Sequence, residues 1–282
     1  MGGQRLKIGV VAPGSRIGPE IAEQVMQIAA RQFQDRAPEI FFHPQCFLSS
    51  DHFAGADNSR CEAFVEMAND DSFNAVWFAR GGYGACRLLE GLLPQFSDNA
   101  RAKQYLGYSD MGSILGALYC AGFPKLAHGP MPADVTREGG EVAIERALSF
   151  LVDGDISSVE KSISPAKQTA AFNITILSNL LGTPFQPDLT DHVLMLEEVS
   201  EQVYRIDRSL FHITSNPAIR TVAGIMLGRC TNIPPNDPDF GADEEQVARH
   251  WCKVSGIEYM GRADIGHDVE NKIVPFGQLQ TA

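Results

Sequence analysis

The first half of the chain alternates between short, strongly apolar segments and segments whose apolar residues recur with helical spacing. The first apolar segment, 6–12, is a run of β-branched and apolar residues that ends in the turn Pro13-Gly14-Ser15. Strand-like segments of this kind occupy residues 6–12, 39–43, 74–79, about 103–108, and 125–128. Because strands and helices alternate so regularly, we predict a parallel sheet covered by helices on both faces.

The second half resumes the alternation after a change in composition. Residues 130–166 contain prolines, an amphipathic segment and a polar stretch, which indicate a connection between domains. Beyond it, helices are predicted at 173–181, 204–212 and 244–254, and strands at 193–197, 221–227 and 272–276. We therefore predict an N-terminal α/β domain at 1–129, a linker region at 130–166 and a C-terminal domain at 167–282.

Charge and composition argue against several classes of protein. The formal net charge is −12 and no run of Lys or Arg occurs, so we predict no nucleic-acid partner. No apolar run approaches the roughly 20 residues that span a bilayer, and no signal-peptide pattern is present, so no membrane partner is predicted. The six cysteines are scattered without C-x-x-C spacing. This pattern favours reduced thiols in a cytoplasmic protein.

The segment 103–112, KQYLGYSDMG, predicts a strand, a tight turn that carries Ser109, and the start of a helix. Gly107 would let the backbone turn, and Asp110 suits a helix N-terminus. This would present a serine hydroxyl at the carboxyl end of a strand, where ligands of doubly wound sheets bind. Serine is also a common helix cap, so a purely structural role explains the same residues. Since Met111 replaces the last glycine of G-x-S-x-G, the segment is not an α/β-hydrolase elbow.

A second turn of interest is the glycine-rich segment 80–84, RGGYG, between a predicted strand and a predicted helix. In such a layout, backbone N–H groups can converge on an anion or on a developing oxyanion. The same glycines also fit an ordinary turn between a strand and a helix.

A serine nucleophile needs a base, which is usually a histidine held by a carboxylate. His267 has the most suggestive setting because it follows Gly266 in a loop, and loops carry functional residues more often than cores do. His128, at a strand end, is its rival. The other histidines weighed lie within periodic segments and are interpreted as packing or surface residues: His43, His192 and His212.

Three glutamates are candidates for the carboxylate. Glu197 and Glu198 end a strand, so their side chains point to opposite faces and one of them can face a cleft. Glu201 follows in the next turn, and spacing does not choose among the three. A solvated acidic turn explains them equally well.

Taken together, these motifs resemble the LD-carboxypeptidase family of serine peptidases, which includes muramoyltetrapeptide carboxypeptidases and microcin C self-immunity proteins. Each motif is weak by itself, but they cover nearly the whole chain in the family's order. The matching segments are 11–15 (VAPGS), 53–55 (FAG), 80–84 (RGGYG), 107–110 (GYSD), 181–184 (LGTP), 196–198 (LEE), 204–208 (YRIDR), 266–267 (GH) and 275–277 (PFG).

The resemblance implies an N-terminal flavodoxin-like (class I glutaminase-like) parallel-sheet domain plus a smaller C-terminal α/β domain. It implies a catalytic triad of Ser109, Glu197 and His267, with the first glutamate of the pair as its member. Backbone amides would form the oxyanion hole, at Asp110 and at Gly81 and Gly82. The family also implies a homodimer and no metal or organic cofactor.

The resemblance further implies a cytoplasmic carboxypeptidase that releases terminal D-alanine from murein tetrapeptides, free or in UDP-MurNAc form, in cell-wall recycling. A microcin C or other aminoacyl-nucleotide amide hydrolase is the alternative within the family, although the short span between Ser109 and Glu197 argues against it. A non-catalytic ligand-binding α/β protein is the alternative outside it. Arg80 or Arg205 could hold the substrate's terminal carboxylate.

One segment departs from the family pattern. Relatives commonly have a glycine pair before the asparagine that opens the first helix of the second domain, where this chain has Ala171-Phe172-Asn173. We expect the substitution to reshape the pocket near the domain junction and to leave the triad untouched.

Overall fold

The computed structural model describes residues 5–279, which form two mostly parallel β-sheets flanked by helices. Residues 1–4 and 280–282 of the predicted domains lie outside this range. The helices are α1 (Pro19–Phe33), α2 (Asp57–Asn69), α3 (Leu89–Leu92), α4 (Asp98–Ala102), α5 (Gly112–Cys120), α6 (Glu141–Asp153), α7 (Ile174–Leu180), α8 (Val203–Ser215) and α9 (Glu244–Ser255). The strands are β1 (Lys7–Val11), β2 (Glu39–Phe42), β3 (Ala75–Phe78), β4 (Gln104–Gly107), β5 (Leu126–His128), β6 (Gln168–Asn173), β7 (His192–Val199), β8 (Gly224–Thr231), β9 (Tyr259–Arg262), β10 (Val274–Pro275) and β11 (Gly277–Gln278).

The first sheet has the order β10-β5-β4-β3-β1-β2, in which β1 to β5 are parallel and β10 is antiparallel to β5. The order of the parallel strands, 2-1-3-4-5, is the flavodoxin-like one, so the predicted fold class is confirmed. In such sheets ligands bind outside the carboxyl ends of the strands, near the point where the order reverses. That point lies between β1 and β3.

The second sheet has the order β11-β6-β7-β8-β9. Its strands are parallel except for β11, which is antiparallel to β6. β10 and β11 are separated by the single residue Phe276, yet they belong to different sheets. The chain therefore closes one edge of the first sheet and then one edge of the second.

The two faces of the first sheet have separate apolar cores. On one face, side chains of β1 pack with α1 and with α6, which lies within the segment 130–166; these are Ile8, Val10, Val25, Ile144 and Leu148. On the other face, the apolar core beneath α2 and α5 is continuous with that of the second sheet; this core includes Phe64, Ile114, Phe172, Leu177 and Leu194. Alternate residues of buried strands thus face different helices, as the apolar runs predict.

The two sheets meet where α5 packs against α7. Gly116 of α5 has no side chain at this contact, and a Cβ there would lie 2.4 Å from Leu180 Cδ2. Phe172, one of the two residues that depart from the family pattern, is fully buried here and packs on Phe276. It therefore fills the contact between the sheets.

Within residues 5–279, three strands were not predicted from the sequence patterns, one of which is β11, beyond the predicted strand 272–276. β6, Gln168–Asn173, precedes the helix predicted to open the second half, and β9, Tyr259–Arg262, forms an edge of the second sheet. Among residues 5–279, no helix combines the length and apolarity needed to cross a bilayer.

Candidate active site

Ser109 lies just beyond the carboxyl end of β4 and begins a short 3-10 turn that leads into α5. Its φ of 61° is in the left-handed region, which costs a non-glycine residue about 1–3 kcal/mol. The prediction that Gly107 makes the turn is wrong, because Gly107 belongs to β4. A Cβ at Gly107 would lie 2.7 Å from Phe78 Cδ2, so glycine is needed there for packing. The backbone strain falls on the serine itself.

Ser109, His267 and Glu197 form a hydrogen-bonded chain across the two sheets. His267 Nε2 lies 2.9 Å from Ser109 Oγ, and His267 Nδ1 lies 2.5 Å from Glu197 Oε2. Since a carboxylate can only accept, Nδ1 carries a proton and Nε2 is free to accept one from the serine. Glu197 is fully buried on β7, and His267 is 8% exposed in the loop between β9 and β10.

The environment makes His267 a stronger base. Burial lowers the pKa of His267, but the charge of Glu197 and its hydrogen bond outweigh burial, so the pKa is raised above its usual value. The ring also packs on Tyr108, with 4.8 Å between the ring centroids. The imidazole is thus held by a carboxylate on one side and an aromatic ring on the other.

Glu198 points away from His267 and has other partners. Its carboxylate accepts hydrogen bonds from Asn173 Nδ2 at 2.5 Å and from the backbone N–H and hydroxyl of Thr175 at 2.9 and 2.7 Å. Burial raises the pKa of Glu198, although these bonds oppose the shift. Glu198 therefore holds the start of α7 to β7, and Glu201 forms an ion pair with Arg205 instead of contacting His267.

The rival base His128 is almost completely buried, and its Nε2 lies 3.3 Å from Asn271 Oδ1. Burial lowers its pKa to about 4, so the ring is neutral at pH 7. It packs against Tyr108 and has no hydrogen bond to Ser109 among the described residues. Of the two histidines, His267 is the one that contacts the serine.

The glycine-rich turn follows β3, the neighbour of β4, and lies against Ser109. A Cβ at Gly81 would lie 2.9 Å from both Cβ and Oγ of Ser109, so glycine is required for this approach. Gly82 has a φ of 87°. Within residues 5–279, neither Gly81 nor Gly82 donates its backbone N–H to another group.

Asp110 connects this turn to the serine turn. Its Oδ2 accepts a hydrogen bond of 2.7 Å from the Ala85 N–H, and the Gly84 N–H also contributes. Burial raises the pKa of Asp110 to about 6, against the effect of these donors. The sequence analysis considered Asp110 for its position at the helix start and for its backbone amide, so this side-chain contact was missed.

The loop that carries His267 is held by Arg229, which sequence reasoning also missed. Arg229 of β8 donates from Nη2 to Asp268 Oδ1 at 2.7 Å and from Nε to Oδ2 at 2.5 Å, while Nη1 reaches Asp264 at 2.5 Å. The register between β7 and β8 shifts beside Glu197, and a Cβ at the neighbouring Gly228 would lie 3.0 Å from Glu197 Cβ. An arginine next to a glycine at a strand end offered a weak signal.

These residues open onto a cavity of about 380 Å³. Its lining includes Ser109, His267, Gly81, Gly82, Arg80 and Arg137. Asp134 also lines it and accepts hydrogen bonds from the Tyr108 hydroxyl at 2.7 Å and from Arg137 Nε at 3.0 Å. Phe172 does not line this cavity.

The fold and this arrangement define an α/β protein in which a buried Glu–His pair contacts a strained serine at the carboxyl edge of a flavodoxin-like sheet. Residues 8–129 match the LD-carboxypeptidase N-terminal domain, and residues 169–281 match the LD-carboxypeptidase C-terminal domain. The chain therefore belongs to the LD-carboxypeptidase family.

Two relatives show the level of sequence similarity. A putative carboxypeptidase of Synechocystis is 31% identical over 80% of this chain and 75% of its own length. The murein tetrapeptide carboxypeptidase of Pseudomonas aeruginosa is 24% identical over 96% of this chain and 91% of its own.

Solved structures show the same fold at lower identity. Muramoyltetrapeptide carboxypeptidase from Oxalobacter formigenes has a TM-score of 0.77 at 23% identity, covering 96% of this chain and 92% of that one. The microcin C7 self-immunity protein MccF has a TM-score of 0.76 at 15% identity, covering 96% and 91%. The fold alone does not separate these two activities.

Proposed function

We propose that the protein is a serine carboxypeptidase that releases terminal D-alanine from murein tetrapeptides by hydrolysing the amide bond between an L-centre and a D-centre. The observation that carries the proposal is the continuous hydrogen-bonded chain from Glu197 through His267 to Ser109. The name of the Pseudomonas relative supports the choice of substrate.

In the first half of the reaction, His267 Nε2 takes the proton of Ser109 Oγ as the oxygen attacks the peptide carbonyl. Glu197 holds the imidazole in the required tautomer and stabilises the imidazolium. The backbone N–H groups of Asp110 and of Gly81 and Gly82 stabilise the oxyanion, and such a donor contributes about 3 kcal/mol to acyl transfer.

In the second half, His267 gives its proton to the departing D-alanine nitrogen, and the acyl group remains on Ser109. Water, activated by the same imidazole, then hydrolyses the ester and regenerates the serine. The steps use groups that are already aligned, since Ser109 is held in its strained conformation before substrate binds. A cytoplasmic location and a homodimeric state stay predictions from the resemblance.

The test is D-alanine release from UDP-MurNAc-tetrapeptide and from the free tetrapeptide, with wild type and Ser109→Ala in the presence of EDTA. Release by wild type alone is expected, with chelation having no effect. Release by both proteins would contradict the serine mechanism. No release by either would reject the murein substrate, and microcin C and other aminoacyl-nucleotide amides would be assayed next. If wild type and Ser109→Ala bind the tetrapeptide equally well and neither turns it over, the result would indicate a binding protein.

A further inference from the structure

The cavity beside Ser109 carries more positive than negative charge. Among the described residues that line it, Arg80 and Arg137 are cationic, whereas Asp134 is the single carboxylate. This contrasts with the formal net charge of −12 of the whole chain. A concave site whose sign opposes that of the molecule concentrates ligands of the opposite charge, so the cavity is suited to an anionic group.

The two arginines differ in what they already contact. Arg137 donates from Nε to Asp134 at 3.0 Å and from Nη2 to the Tyr108 hydroxyl at 3.4 Å, so its charge is compensated within the protein. Arg80 is exposed, and among residues 5–279 its hydrogen bond is a long one of 3.4 Å from Nη1 to the Arg16 carbonyl, with no ion pair. The guanidinium of Arg80 is therefore available to a ligand.

The other arginine considered from the sequence, Arg205, is committed elsewhere. It forms an ion pair with Glu201 at the start of α8 and does not line the cavity among the described residues. The structure thus separates two candidates that spacing left equal.

Arg80 also stands at the right distance along the chain. It directly precedes Gly81, whose backbone lies so close to the serine that an added Cβ would be 2.9 Å from Ser109 Oγ. In a C-terminal residue, a single α-carbon separates the scissile amide nitrogen from the terminal carboxylate. A cation that holds this carboxylate must therefore extend from backbone that lies close to the nucleophile, as Arg80 does.

We propose that Arg80 binds the terminal carboxylate of the substrate and so restricts cleavage to the last residue of the peptide. This inference rests on the proposed carboxypeptidase function and names the group that makes the enzyme an exopeptidase. A guanidinium can bind a carboxylate through two parallel hydrogen bonds, which a lysine cannot reproduce.

The experiment compares the tetrapeptide with the same peptide ending in D-alaninamide, which lacks the terminal charge. We expect wild type to prefer the free acid by roughly 10²-fold in kcat/KM. Arg80→Gln should lose a similar factor on the free acid, mostly through KM, and change little on the amide. Arg80→Lys should recover part of the loss. Arg16→Gln, which removes a neighbouring exposed charge outside the cavity, serves as the matched control and should resemble wild type.

Each contrary result has a distinct meaning. Equal loss on both substrates in Arg80→Gln would overturn the inference in favour of a structural role for Arg80. A wild type that hydrolyses acid and amide equally, or an Arg16→Gln variant with the same selective loss, would overturn carboxylate recognition by Arg80 while sparing the proposed function. If wild type hydrolyses neither peptide, the proposed function fails and the inference fails with it.

Discussion

The two sheets contribute to the site by different physical means. The first sheet supplies backbone: a serine held at φ 61° and a turn whose approach requires glycine at Gly81. The second sheet supplies charge pairs: the buried Glu197 contacts His267, and the partly exposed Arg229 anchors the loop beside it. Backbone geometry is insensitive to pH and salt, whereas charge pairs respond to both. The side proposed to supply the nucleophile should therefore lose activity through steric changes, and the side proposed to supply the base through changes of charge.

The largest expected effect comes from the two adjacent glutamates. Glu197→Gln keeps the shape of the side chain but removes the charge that holds His267, so kcat/KM for D-alanine release should fall by roughly 10³–10⁴-fold. The remaining activity should have its acid limb at lower pH, because the Glu197 charge raises the pKa of His267.

Glu198→Gln is the matched control on the same strand. It should keep activity within roughly tenfold and lower the free energy of unfolding by about 1–3 kcal/mol, since buried bonds from Asn173 and Thr175 are weakened. Equal losses of activity in the two variants would mean that the charge of Glu197 has no special role.

On the nucleophile side, Gly81→Ala adds one methyl group and no charge. Because its Cβ would lie 2.9 Å from Ser109 Oγ, the turn or the serine must move, and kcat/KM should fall by roughly 10²–10³-fold. Gly91→Ala is the control, since a Cβ there meets nothing within 4 Å. It should retain full activity and a melting temperature at or above that of wild type. Normal activity in Gly81→Ala would contradict the steric account.

A smaller effect is expected from the anchor of the His267 loop. Arg229→Gln removes the guanidinium that donates hydrogen bonds to Asp264 and Asp268. We therefore expect kcat/KM to fall by roughly tenfold and the hydrogen exchange of residues 264–272 to become faster. Arg249→Gln removes an exposed ion pair with Glu245 on α9 and should change neither quantity. Unchanged exchange in Arg229→Gln would show that the loop is held by other contacts.

The smallest expected effect is on stability, and it concerns a carboxyl group that does not fit the division between the two sheets. Asp110 is a buried side chain on the nucleophile side, with a pKa raised to about 6. Since this folded-state value exceeds the usual one of about 3.9, its contribution to stability is full below pH 4 and is lost as pH rises through 6. Asp110→Asn should therefore gain on the order of 2 kcal/mol relative to wild type between pH 4 and pH 7.5, measured by urea unfolding.

The activity of Asp110→Asn tests whether the Ser109 side depends on a buried charge. Asparagine can still accept the Ala85 N–H, so kcat/KM should stay within roughly tenfold of wild type. A loss as large as that of Glu197→Gln would show that the glycine-rich turn also depends on a buried charge, and the division between the two sheets would be wrong.

Sequence patterns predicted much of this arrangement because parallel strands end at the same edge of a sheet. Gly81 follows β3 and Ser109 follows β4, so a correct reading of two strands was sufficient to bring both turns together. Strand alternation likewise required Glu197 and Glu198 to face opposite ways, and they do. Which of the two contacts His267 depends on how the sheets pack, and spacing along the chain contains no such information.

Other features depend on long-range packing and were not predictable. The pairing of Arg229 with Asp268 joins residues 39 positions apart beside a shift in strand register. β6 has the mixed sequence QTAAFN and directly follows a polar stretch, so it resembled the end of a connection. Serine rarely adopts the left-handed conformation, so the sequence did not indicate it at Ser109. The turn was predicted at Gly107 instead.

The exchange of the chain between sheets at β10 and β11 has a consequence for biosynthesis. During translation, every other strand of both sheets emerges before these two, so each sheet exposes an unpaired edge until residues 274–278 have been made. His267 lies shortly before them in the sequence, far from Ser109, with which it pairs. A nascent chain can therefore fold its first strands early, yet the serine–histidine contact cannot form until residue 267 has been made.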